Sequence, residues 1–151
     1  MAIQRVDARA RTAASPRVVH ALLRDGATWP EWGTVDTFAL ERTGPDGGES
    51  VGAIRRFRTG RLYRMREQIV EIVPDQRFSY ALLSGLPLRG YRADVDLTPV
   101  DGGTDIRWHS TFHAKVPGTG WIYRRALQRV IERFVQGLAD RADRATDSAA
   151  R

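Results

Sequence analysis

The chain contains no cysteine, which rules out disulfides, thiolate-ligated zinc and thiol catalysis. It also lacks a run of 18 apolar residues, so no transmembrane helix is predicted. The first eleven residues alternate small and charged side chains and hold no apolar signal core, so the cytoplasm is the expected location. Lysine is nearly missing: Lys115 is alone, and arginine supplies the rest of the basic charge. Internal repeats, low-complexity tracts, nucleophile elbows, phosphate-cradling glycine loops and dinucleotide fingerprints are absent too.

What is present fits one globular domain. The chain has 151 residues, 42% of them apolar and 28% charged, enough to bury roughly 70% of the unfolded surface. The formal net charge is +6. A basic surface attracts nucleic acid, acidic lipid or acidic partners. No basic run exceeds two residues, so nucleic acid is not the expected partner.

Residues 3–12 alternate weakly and read as a first strand. Ser15-Pro16 reads as a helix start, with Ser as N-cap and Pro at the first helical position. Val18, Val19, Leu22 and Leu23 give that helix an apolar face, and Asp25-Gly26 stops it. A second short helix spans Trp29-Pro30-Glu31-Trp32 and ends at Gly33. Strands follow over 35–41, 51–58, 61–73, 77–83, 88–99 and 104–113. After Pro117-Gly118, Leu127, Val130, Ile131, Phe134 and Leu138 form a helical stripe within 120–144. The domain is read as 1–145, with 146–151 a flexible tail. A six-strand meander with one apolar face needs a cover, and the last helix is the element long enough to provide it.

The final hairpin fixes its own register. With Asp101-Gly102 as a two-residue loop, Leu97 faces Ile106, Val95 faces Trp108, Ala93 faces Ser110 and Tyr91 faces Phe112. The opposite face then pairs Asp96 with Arg107 and Asp94 with His109. One face is apolar and the other carries complementary charge, so a slip by one residue would lose both patterns.

The stretch 51–73 does not resolve so simply. Val70 and Ile72 favour one phase, whereas Tyr63, Met65 and Ile69 favour the other. Either a bulge lies near Glu67-Gln68 or charge points inward.

Four stretches resemble the SRPBCC superfamily, the START-like and Bet v 1-like proteins, near its polyketide cyclase/dehydrase and lipid transport group. Residues 15–25 resemble the family's first helix. Trp29-Pro30-Glu31-Trp32 resembles its tryptophan pair, Val51-Gly52-Ala53-Ile54-Arg55 its Gly-x-x-x-Arg strand, and residues 74–80 its turn and fifth strand. His20 departs from the pattern, standing where an aromatic is usual. The resemblance implies an α+β helix-grip fold: a curved seven-stranded antiparallel sheet around a long C-terminal helix, with two short helices after strand 1. It also implies a cavity for a hydrophobic small molecule. Arg55 and Glu67 stand at positions resembling the family's common Arg and Glu, and either contribute a pair inside that cavity or point to solvent.

Within that frame the candidate ligand-binding residues are Trp32, Arg55, Phe57, Glu67, Phe78, Tyr80, Leu82, Tyr91, Trp108, Phe112, Tyr123 and Leu127. Aromatic walls with few polar groups are the usual form of a small-molecule site. The same aromatics also serve as plain core. The loop 84–90, Trp29–Trp32 and Trp121–Tyr123 are candidates for a rim or gate. His109 and His113 lie four apart on a strand, about 13 Å, too far for one metal ion, and neither a metal nor a cofactor is expected. Asp94 and Asp96 read as outward ion-pair partners rather than paired acid/base groups. Three functions stay open: a binding protein for a lipid- or polyketide-like molecule, a cyclase or dehydratase-type enzyme, and a ribosome-associated or toxin–antitoxin-like interaction protein. The catalytic residues of such an enzyme are not identified, and the expected assembly is a monomer or homodimer.

Overall fold

In the computed structural model, residues 2–61 and 63–150 are described. Among them, seven strands form one antiparallel sheet. These are β1 (Gln4–Thr12), β2 (Thr37–Arg42), β3 (Ile54–Thr59), β4 (Tyr63–Val73), β5 (Arg77–Ser84), β6 (Leu88–Val100) and β7 (Gly103–Ala114). Their spatial order is β1-β7-β6-β5-β4-β3-β2. The meander β2 to β7 runs consecutively, and β1 closes on the far side of β7. Between β1 and β2 lie α1 (Pro16–Arg24), a 3-10 turn (Gly26–Thr28) and α2 (Trp29–Trp32). The 31-residue α3 (Gly120–Ala150) covers the concave face. This is the helix-grip architecture.

Local chemistry sets the short elements. Ser15 Oγ accepts the Val18 N–H, and Pro16 opens α1 where its missing donor is not needed. Asp25 ends α1 in an extended conformation, and its side chain accepts the Ala27 N–H to start the next turn. α3 continues past Arg144 to Ala150, because alanines 142, 145, 149 and 150 favour helix and neither Gly nor Pro interrupts. Residues 146–150 of the expected tail therefore have helical backbone, while Arg151 lies outside the described residues.

The final hairpin has the predicted register from Val100–Gly103 back to Ala93–Ser110. Gly102 takes the φ of 81° that its turn position demands. The expected Tyr91–Phe112 pair is displaced: the ladder shifts between Arg89 and Arg92, so Gly90 and Tyr91 together oppose Phe112. Gly90, at φ 62°, supplies the bulge. Tyr91 still faces inward, its ring 6.1 Å from that of Phe112.

α3 is fastened to β1 along its length. Gln128 accepts the Asp7 N–H and donates to the Asp7 carbonyl, adding a side-chain rung to an edge strand. Near the other end, Asp143 accepts from Thr12 Oγ1 and the Ala13 N–H. Ile131, Phe134, Val135, Leu138, Ala139 and Ala142 bury the inner stripe.

Gly137 allows α3 to touch α2. A Cβ there would stand 1.9 Å from the Trp32 carbonyl oxygen. Gly137→Ala gains roughly 1 kcal/mol of helix propensity but forces two backbones apart. A net loss of about 1–3 kcal/mol is expected in urea unfolding. A gain in stability would show that α3 slides freely over α2.

Candidate functional site

α3 rests on β1, β7, α1 and α2. Its other flank faces β3–β5 across a cavity of about 40 Å³. The wall is apolar: Trp29, Phe57, Leu82, Leu127, Ile131 and Phe134 are among its members. Glu67 is the one acidic group that lines it, and Tyr80 and Tyr91 bring the hydroxyls.

The unresolved phase of 51–73 has two causes: a bulge, which lies at Val70 rather than near Glu67-Gln68, and inward charge. The β4–β5 ladder shifts twice: at Arg66/Glu67, where Leu83 of β5 is the extra residue, and between Ile69 and Glu71 of β4. The second irregularity leaves Val70 without a partner, which moves Ile72 to the face that Met65 and Ile69 occupy upstream. Charge also points inward. Arg55 and Glu67 sit directly opposite on β3 and β4, Arg55 fully buried and Glu67 6% exposed.

Arg55 occupies an aromatic box. Its guanidinium carbon is 4.7 Å from the Trp29 ring, 5.0 Å from Phe78 and 5.2 Å from Phe57. Nη1 donates to the Leu23 carbonyl (3.1 Å) and to Glu49 (3.3 Å). Glu49 also accepts the Gly26 N–H, so Arg55 ties the end of α1 and the loop 43–53 to the sheet. Nη2 lies 3.7 Å from Glu67 Oε1, an ion pair without a hydrogen bond. Among the described residues, Arg55 Nε and Nη2 and Glu67 Oε1 have no hydrogen-bond partner.

That shortfall shapes the electrostatics. Burial pushes the Glu67 carboxyl up to about 7, and the Arg55 charge only partly offsets it. Burial likewise raises the Tyr91 hydroxyl to about 12 and drives Tyr80 well above its ordinary value. Trp108 Nε1 donates to the Tyr80 oxygen at 3.3 Å. The cavity thus carries a carboxyl that changes protonation near neutrality, close to two neutral phenols.

Of the twelve candidate residues, Phe57, Glu67, Tyr80, Leu82, Tyr91 and Leu127 line the cavity. Arg55 and Phe78 lie behind it, in the box around the guanidinium. Trp32, Trp108 and Phe112 are buried core, and Tyr123 is a half-buried residue packed against that core. The Trp29 indole displaces them: its ring contacts those of Trp32 and Phe57 at 4.9 Å, Trp108 at 5.6 Å and Phe134 at 5.7 Å. Leu86 is the member of the loop 84–90 that reaches the cavity, and Leu88 is buried. Beyond the twelve candidates the lining also includes Trp29, Val35, Met65, Leu86, Val130, Ile131 and Phe134. Ile131 and Phe134 belonged to the legible α3 stripe. Glu49, in an aperiodic loop, gave no signal.

The remaining polar candidates lie elsewhere. His20 is buried against β5, its Nε2 3.3 Å from the Arg77 carbonyl, and burial holds its imidazole below the ordinary range. Asp94 and Asp96 face outward, but their ion partners differ from the expected ones. Asp96 takes a bidentate contact from Arg77 and a 2.7 Å contact from His109. Asp94 meets Ser79 and Arg92, and Arg107 turns to Asp7. β6 is flanked on both sides, so its carboxylates choose between two strands: Asp96 takes Arg77 of β5 and His109 of β7, while Asp7 of β1 draws Arg107 away. His113 pairs none of these. Among the described residues no group of three metal-ligating side chains converges, and no helix is long and apolar enough to cross a membrane.

Comparison with known structures places this geometry in context. A START superfamily protein from Mycobacterium smegmatis superposes with a TM-score of 0.80 at 15% identity, covering 94% of this chain and 99% of the other. A Thermobifida fusca protein solved by NMR gives 0.77 at 23% identity, with 93% of each chain covered. The Zhui aromatase/cyclase from Streptomyces sp. R1128 gives 0.76 at 14% identity, with 96% of each covered. At these identities the likeness is one of fold. Among curated protein sequences none matches the chain. The family model described as polyketide cyclase / dehydrase and lipid transport matches residues 4–143, nearly the whole sequence, and the chain belongs to that family.

Proposed function

We propose that the protein binds a hydrophobic or amphipathic small molecule, lipid- or polyketide-like, between α3 and β3–β5. The observation that carries this reading is Glu67: a buried carboxyl with a free acceptor oxygen, lining a cavity otherwise walled by apolar and aromatic groups. An unsatisfied buried polar group is costly in a core, whereas a ligand hydroxyl or carbonyl would satisfy it. Below pH 7 the protonated carboxyl donates to a carbonyl, and above it the carboxylate accepts from a hydroxyl.

The cavity of about 40 Å³ holds a few water molecules at most. A ligand site needs roughly 300 Å³ or more, so binding requires α3 and the loop 84–87 to part. The groups that would separate, Leu82, Leu86, Leu127 and Val130, are only partly buried, which keeps the cost of opening low. A bound chain would regain about 25 cal/mol for each Å² of apolar surface covered. The cyclase or dehydratase reading draws support from the same Glu67 beside two phenols, since an acid/base group working near neutrality needs such a pKa.

Native mass spectrometry of protein purified from its own host tests the binding reading, alongside titration with a fluorescent fatty-acid analogue. A bound small molecule, lost on denaturation, is the expected result. Leu127→Trp, which fills the cavity, is expected to weaken probe binding at least about tenfold. Absence of any host ligand, with probe binding indifferent to Leu127→Trp, would refute it.

A further inference from the structure

The turn before α3 and the helix's first residues expose three large apolar side chains. Val116 and Trp121 are 54% exposed and Ile122 49%. The turn that presents them is ordered: Thr119 donates through its N–H and its hydroxyl to the Val116 carbonyl, and its own carbonyl accepts the Ile122 N–H. One to two turns along the helix, Arg124, Arg125 and Arg129 join Arg5 of β1 around a groove of about 300 Å³. The carboxylate in that groove, Glu132, accepts from Gln128. Among the described residues none of these four arginines has a carboxylate within 4.0 Å, so their charge faces the groove without an ion-pair partner. Lys115, also exposed, adjoins the apolar tip.

We propose that this end of the molecule docks on a bilayer surface bearing acidic lipids. Trp121, Ile122 and Val116 would enter the headgroup boundary, and the arginine groove would hold lipid phosphates. Tryptophan favours that boundary because its indole is apolar with one polar N–H. Basic residues beside an apolar wedge add attraction to an anionic leaflet. A nucleic acid would use the arginines but leave the aliphatic pair unexplained.

Trp121 is its own reporter. The other tryptophans, Trp29, Trp32 and Trp108, are 2%, 6% and 0% exposed, so a change in quenching by acrylamide comes from Trp121. Vesicles of phosphatidylcholine with one-third phosphatidylglycerol, against phosphatidylcholine alone, supply the two surfaces. The expected result is at least tenfold stronger co-sedimentation with the acidic vesicles, a blue shift of Trp121 emission and its protection from acrylamide. Trp121→Ala/Ile122→Ala should lose that binding about tenfold with the fold unchanged by circular dichroism, and Arg124→Glu/Arg125→Glu should abolish the preference for acidic lipid. No binding to acidic vesicles, or binding that both variants retain, overturns the proposal. So does a dimer in sedimentation velocity that dissociates in Trp121→Ala, or binding to RNA with no shift of Trp121 emission.

Discussion

Arg55→Met is expected to destabilise the protein by about 3–5 kcal/mol at pH 8, the range for breaking a buried pair from one side. Methionine fills much of the same volume, so the loss measures charge and hydrogen bonds more than a void. Removing the guanidinium leaves Glu67 without its counter-charge, so at pH 8 it either stays ionised in an apolar wall or must take up a proton, and it strips Glu49 of its inward partner. It also removes the stacking of the cation on Trp29, Phe57 and Phe78. Urea unfolding gives the number. The loss should shrink at pH 5, where Glu67 is protonated and no longer needs a counter-charge. A fall below about 1 kcal/mol at both pH values would mean that Arg55 is tolerated by the core rather than needed by it. The double variant Arg55→Met/Glu67→Leu completes a cycle, and recovery towards wild-type stability assigns the coupling to this pair.

The sequence made the outer frame legible because its signals are local. Ser15-Pro16 and Asp25-Gly26 bracket α1, and Asp101-Gly102 fixes a hairpin whose two faces have opposite chemistry. Such readings need only period and turn residues. They fail where the period is interrupted. Val70 in β4, Leu83 in β5 and the Gly90-Tyr91 bulge in β6 each add a residue to one strand and change the phase downstream. The sequence signals the β4 bulge only as a conflict between residues 63–69 and 70–72, and it cannot place it at Val70.

The site was legible in part for a related reason. Inward facing is a property of one strand, and on that basis Phe57, Tyr80, Leu82 and Tyr91 are readable. Whether an inward ring lines a cavity or fills a core depends on what stands across from it. Trp29 comes from a four-residue helix and takes the centre. Its indole N–H donates to the Leu23 carbonyl, the same acceptor that Arg55 uses. The long-range choice of that acceptor buries Trp108 and Trp32 and reduces the free space to about 40 Å³. Nothing in the spacing of the tryptophans foretells which one does this.

Glu67→Gln should remove a pH dependence that the wild-type protein carries. The folded-state carboxyl holds its proton up to about pH 7, against an ordinary value of 4.5. Between those limits the folded protein binds more protons than the unfolded chain, so stability falls as pH rises. The contribution is fully present below pH 4.5 and is lost by the time pH has passed about 7, on the order of 3 kcal/mol at 1.36 kcal/mol for each pKa unit. His20 acts in the opposite sense. Its imidazole is held low by burial, so its contribution rises as pH climbs from that lowered value to 6.5 and is constant above. It is common to both proteins and cancels in their difference. Glu67→Gln minus wild type should therefore grow with pH from 5 to 8 and reach a plateau above. A flat difference would mean that Glu67 is ionised throughout, paired with Arg55 at every pH. The cavity would then offer ligands a fixed carboxylate and select hydroxyl donors over carbonyls, so the same titration also reports which ligand groups the polar end can hold.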